Sequence, residues 1–244
     1  MDYYAKFVEY SEKNLKEYTL IEGFPGMGLV GTIAAKYLID RRKLRQIGHI
    51  ESNIFLPVIR IHEGRPVHPA RLYIFEEKKL VVLIAEQIIP RMLTSIFAKS
   101  VVEWIKKKGI TRIISLEGIK AEPGKNIVYG IAANEQSKKI LMKNKVDLIQ
   151  DGITTGLTSL ILLLLGRTKV EACSILGNVN VAADYKAAAA LIGKLNEMAG
   201  LKLDVKPLLK EAKETEKQLI EQLQQLKKTD QDASKLEQKV PMYT

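Results

Sequence analysis

The sequence predicts an α/β domain built on a mostly parallel sheet with helices on both faces. Three observations predict it. A Gly-rich turn over residues 23–31 joins an apolar β-type run to a helical one. Apolar β-rich runs then alternate with helical patterns as far as residue 206. One of those helices, residues 94–108, carries Ile96, Phe97, Val101, Trp104 and Ile105 at helical spacing.

Taken in order, residues 2–14 are polar with interspersed aromatics and read as a loose leading segment. Residues 18–22 read as the first strand and 32–40 as the first helix. Short strands follow at 46–50 and 57–61, a polar turn at 62–69, a strand at 70–75, the charged turn Glu76-Glu77-Lys78-Lys79, and a strand at 80–85. Two short loops between β-rich runs predict antiparallel pairing beside the parallel part of the sheet. The helix over 94–108 ends on Lys106-Lys107-Lys108 and Gly109, which supply cations and a stop. A strand at 110–116 leads through a Gly/Pro-bearing loop to a strand at 127–132. Asn134 has the chemistry to cap a helix running to Lys143. A short strand at 146–149, a Gly/Thr turn, a Leu-rich helix at 157–165, a strand around Cys173 and an Ala-rich helix at 182–199 complete the domain.

The character changes after residue 206. Leu209, Ala212, Glu216, Leu219, Leu223 and Leu226 recur at alternating three- and four-residue spacing. Residues 207–228 therefore read as an amphipathic helix of roughly 30 Å, with a coiled-coil-like seam interrupted by Glu216, or packed on its own body. Residues 229–244 read as a flexible polar tail that ends Val240-Pro241-Met242-Tyr243-Thr244. The expected divisions are a body at 1–206, the helix at 207–228 and the tail at 229–244.

Composition narrows the function classes. With 46% hydrophobic and 27% charged residues, this is ordinary globular composition. A single cysteine excludes an intrachain disulfide and a cysteine metal cluster, and its apolar strand setting predicts a packed thiol. The N-terminus carries charge without an apolar core, and the longest apolar run, residues 160–165, is too short to span a bilayer, so a cytoplasmic protein is expected. The net charge of +10 lies entirely in the body, because residues 207–244 hold seven Lys against seven Asp plus Glu. Its basic residues are scattered rather than striped with aromatics, so docking on an acidic protein surface explains the charge as well as nucleic acid does.

Two constellations could carry chemistry. Gly26-x-Gly28-x-x-Gly31 has the spacing of a dinucleotide-binding turn, and the acidic Glu51 lies 20 residues beyond it. Against that, Phe24-Pro25 makes a stiff corner and Glu22 would sit near the phosphates; the same glycines equally serve close helix–strand packing. The second constellation is Glu22, Glu86, Glu117 and Asp151, each just beyond an expected strand. On a parallel sheet they would gather at its carboxyl edge, as an acid/base or metal site or simply as exposed strand ends. His49, His62 and His68 lack zinc-motif spacing, and the loop histidines are expected at the surface. GxxxxGK[ST], GxSxG and HExxH are absent.

Residues 23–31, GFPGMGLVG, resemble the N-terminal signature of the proteasome assembly chaperone family in its archaeal branch. Residues 151–160, DGITTGLTSL, look like that family's second Gly-rich turn. The likeness covers roughly residues 15–200. Met242-Tyr243-Thr244 is similar to the hydrophobic–Tyr–any-residue ending of proteins that dock on the proteasome core particle. The resemblance implies a three-layer α/β/α sandwich similar to that of phosphorylases and hydrolases, without catalysis or cofactor. It implies an ATP-independent chaperone, homo-oligomeric (a tetramer), that binds proteasome α subunits or the α ring and acts also as a core-particle activator. Met242 and Tyr243 would enter a pocket between adjacent α subunits, and the Thr244 carboxylate would pair with a lysine there. Many family members lack this helix and tail. The alternatives are a nucleotide-dependent or hydrolytic enzyme using the Gly26–Gly31 turn and the strand-end carboxylates, and a protein-binding scaffold whose basic body touches nucleic acid.

Overall fold

A computed structural model of the chain describes residues 2–120 and 128–210. In chain order the elements are β1 (Ala5–Glu9), β2 (Thr19–Gly23), α1 (Val30–Arg42), β3 (Arg45–Ser52), β4 (Arg60–His62), β5 (Arg65–Val67), β6 (Ala70–Phe75), β7 (Leu80–Ala85), α2 (Thr94–Lys108), β8 (Arg112–Ile119), β9 (Val128–Ala132), α3 (Glu135–Lys143), β10 (Asp147–Leu148), α4 (Leu157–Leu165), β11 (Glu171–Asn178), α5 (Tyr185–Ala199) and α6 (Lys206–Lys210). Of the expected C-terminal helix, only residues 207–210 fall within the described residues. The tail, with Met242, Tyr243 and Thr244, lies outside them.

Nine strands form one sheet in the order β1-β3-β6-β7-β2-β8-β11-β9-β10. Its centre, β7-β2-β8-β11, is parallel. The flank β1-β3-β6-β7 is antiparallel, and β9 runs antiparallel to β11 with β10 parallel to β9. The sheet is therefore evenly mixed rather than mostly parallel. Short connections force this: the tight turn after Phe75 can only return the chain antiparallel, as the two short loops predict.

Alternation along the central strands divides the core between the two faces. Ile21, Val82, Ile84, Ile114, Leu116, Cys173 and Ile175 meet α1 and α5 on one face. Leu20, Val81, Leu83, Ile113 and Ala172 meet α2 and α4 on the other. This is the expected α/β/α sandwich. Cys173 is the packed thiol its setting predicts, and burial pushes its pKa up to about 12.

Two expectations change in the first 70 residues. The leading segment contains β1, whose Phe7 ring stacks on Trp104 at 4.6 Å, while Glu9 accepts from Trp104 Nε1 at 3.0 Å and pairs with Lys108 at 2.6 Å. The run at 57–61 shrinks to β4, which pairs only with β5 through a Glu63-Gly64 turn with φ of 49° and 72°. The capping reading holds: Asn134 accepts from the Ser137 amide, and the Ser137 hydroxyl answers the Asn134 amide. Among the described residues no helix is long and apolar enough to cross a membrane.

Candidate functional site

Parallel β7, β2, β8 and β11 bring their carboxyl ends to one edge, and the Gly-rich turn lies there. The turn is closed by packing. A Cβ on Gly31 would lie 2.0 Å from the Leu116 carbonyl oxygen, and one on Gly23 2.4 Å from Ala35 Cβ. Gly28 adopts φ +62°, with Val179 against its open side. The Gly26 Cβ position faces the Glu117 carboxyl at 3.4 Å, an acidic group where a nucleotide would place its phosphate. Leu29 caps α1 in the left-handed region without a side-chain hydrogen bond. Glu51 lies on β3, separated from β2 by β6 and β7, and 3.6 Å from His49 Nε2. The glycines seat α1 on β8; the spacing coincides with a nucleotide motif, while the surroundings do not.

The four carboxylates divide. Glu86, after β7, is held by Arg60 and by Arg71 at 2.8 Å; Arg71 is buried and also donates to Tyr73 Oη and the His68 carbonyl. This is a structural ion-pair cluster. Glu22 and Glu117 lie together on adjacent strands, pointing to the α4 face. Glu22 is fully buried and accepts from Ser115 Oγ at 2.6 Å and Thr158 Oγ1 at 2.9 Å. Burial outweighs those two bonds and pushes its pKa up to about 7. Burial, then the charge of Glu22, pushes Glu117 up to about 8. Among the described residues Glu117 has no hydrogen-bond partner.

Asp151 reaches the same place by a different route from the one expected. β10 runs opposite to β8, so its end does not belong to the parallel edge. The segment that follows β10 folds back toward α4, and Asp151 lines a cavity with Glu117, Gly118, Lys120, Ile149 and Leu176. Its volume is about 560 Å³. No group of three or more His, Cys, Asp or Glu suited to a metal ion occurs among the described residues.

His62 and His68 are exposed, as expected of loop histidines, while His49 belongs to β3. The His49 and His68 rings stack at 3.6 Å, and His49 is buried. Burial and the neighbouring His49 lower the pKa of His68.

Sequence reasoning also missed the exposed apolar residues near this edge. Met27, Ile88, Val181, Met92 at 91% exposure and Ile153 at 97% all lie in connections rather than in helices or strands of the core. Periodicity carries no signal for them, because loop residues have no period.

Residues 20–223 match the PAC2 family model. An uncharacterised protein of Methanocaldococcus jannaschii is 31% identical over 239 residues, 98% of each chain. The crystal structure of Pyrococcus furiosus PbaA, described as an archaeal homolog of proteasome-assembly chaperone, superposes with a TM-score of 0.82 at 32% identity, covering 93% of this chain and 99% of that one. Pyrococcus furiosus PbaB, described as an archaeal proteasome activator, has a TM-score of 0.73 at 23% identity, covering 89% and 98%, a likeness of fold.

Proposed function

Because the chain belongs to the PAC2 family, we propose that it is an ATP-independent proteasome assembly chaperone that works as a homo-oligomer, a tetramer, in the cytoplasm. The observation that carries this reading is the likeness to PbaA over nearly the whole of both chains. The packed glycine turn and the ion-paired Glu86 support a non-enzymatic reading, since both have a structural use. The cavity lining holds neither His, Cys nor Ser among the described residues.

Docking on proteasome α subunits is assigned to Met242, Tyr243 and Thr244 on sequence grounds. Two apolar side chains following a polar stretch suit a pocket on a partner. One such segment binds weakly, because ordering it costs conformational entropy. Several segments on one oligomer raise the effective concentration of each after the first has bound, giving avidity gains of roughly 10²–10⁴. The same contacts would let the protein act on assembled core particles as an activator.

The test is a nucleotide-free pull-down of α subunits and α rings, comparing the full chain with one ending at Val240. The truncation is expected to lower binding at least about tenfold while circular dichroism and sedimentation stay unchanged. Unchanged binding would remove the docking role of the last residues; no binding by either chain would remove the chaperone reading.

A further inference from the structure

The cavity beside Glu22 and Glu117 has a lining that docking through the last residues leaves unused. Its volume of about 560 Å³ lies in the range of small-molecule sites. Ile119, Ile131, Ile149 and Leu176 form apolar walls, Ile153 stands exposed at the rim, and Glu117 and Asp151 add two carboxyl groups. Besides Glu22 from β2, whose charge acts on Glu117, the charged groups of the lining are Asp151 from the connection after β10 and Lys120, exposed just beyond β8. Lys120 makes no ion pair with either carboxylate of the lining.

We propose that this cavity binds a small organic cation, a primary ammonium on an alkyl chain, with the ammonium at Glu117 and the chain along Ile131, Ile149 and Leu176. A carboxyl with no partner among the described residues gains most from a cation, and the apolar walls gain from the chain. An anion would sit beside two acidic side chains, and a neutral alcohol would leave the Glu117 proton in place. The raised pKa of Glu117 adds a signature. Near neutral pH the empty site holds a proton there, and binding of the ammonium expels it.

The experiment is calorimetric titration of the full chain with n-hexylamine near pH 7, with hexanoate and 1-hexanol as matched anion and alcohol. Saturable amine binding is expected, with close to one proton released per site, read from buffers of different ionisation heat. Glu117→Gln is expected to weaken the amine about tenfold and abolish the proton release. Asp151→Asn, on an exposed position, is expected to weaken it about threefold and serves if Glu117→Gln does not fold. Absence of saturable amine binding up to about 10 mM, hexanoate binding as tightly, or unchanged affinity in the variants would overturn the proposal. A capped Gly-Lys-Gly peptide that binds when hexylamine does not would also overturn it, transferring the site to a protein lysine. None of these outcomes bears on docking through Met242–Thr244.

Discussion

Glu22→Gln isolates the cost of the buried carboxyl at the centre of the sheet. The change keeps shape: the new amide can donate to one of the Ser115 and Thr158 hydroxyls, which then turns to accept. In the folded protein burial raises the Glu22 pKa from 4.5 to about 7. Between those values the folded state holds more protons than the unfolded one, so stability falls as pH rises. The penalty is absent below the unfolded value and fully present above the folded one. The difference of roughly 2.5 units corresponds to about 3 kcal/mol. Urea unfolding at about pH 4 and about pH 8.5, with equal m-values, measures it. The variant should match the parent at the lower pH and exceed it by about 3 kcal/mol at the higher. Glu117 contributes to both proteins, and its own pKa should fall in the variant, because the Glu22 charge is one of its two causes. A pH-independent difference, or a variant less stable at high pH, would refute the reasoning.

Two further outcomes follow from the packing. Gly31→Ala sets a methyl 2.0 Å from the Leu116 carbonyl oxygen and should cost about 3 kcal/mol, lowering the melting temperature by roughly 6–12 °C in calorimetry, while adding NAD or ATP shifts neither protein. Arg71→Met leaves Glu86 with only Arg60; a loss of about 3 kcal/mol is expected in chemical denaturation, largely restored by adding Glu86→Gln.

What is legible in the sequence is what local chemistry signals. α2 is readable to the residue because its apolar spacing, terminal lysines and Gly109 agree, and Gly109 takes φ +66° as a helix stop should. α3 is readable from Asn134. β1 is not: five residues, half-buried, gain their meaning only from Ser52 to Gly48 beside them and Trp104 above them. The direction of β9 is likewise a tertiary property, since a run of five β-type residues reads the same both ways. The nearness of Glu22 to Glu117 follows from two strands 93 residues apart in register, Glu22 opposite Ser115. Their positions after expected strands were a clue; their depth was not. Glu86 carries an identical clue and belongs to an ion-pair cluster instead, because two arginines from β4 and β6 reach it.

The strand order also sets a timetable. β2 lies in the middle of the sheet, yet its partners are Leu80–Ile84 and Arg112–Leu116. A nascent chain made from the N-terminus therefore carries Thr19–Gly23 unpaired while residues 24–79 are synthesised, about 3–11 s at ordinary rates. Such non-local pairing is slow and exposes apolar backbone to self-association. In that interval Glu22 is solvated and ionised, a charge in the middle of a sticky strand. The same side chain that strains the finished core is then a gatekeeper of the unfinished one.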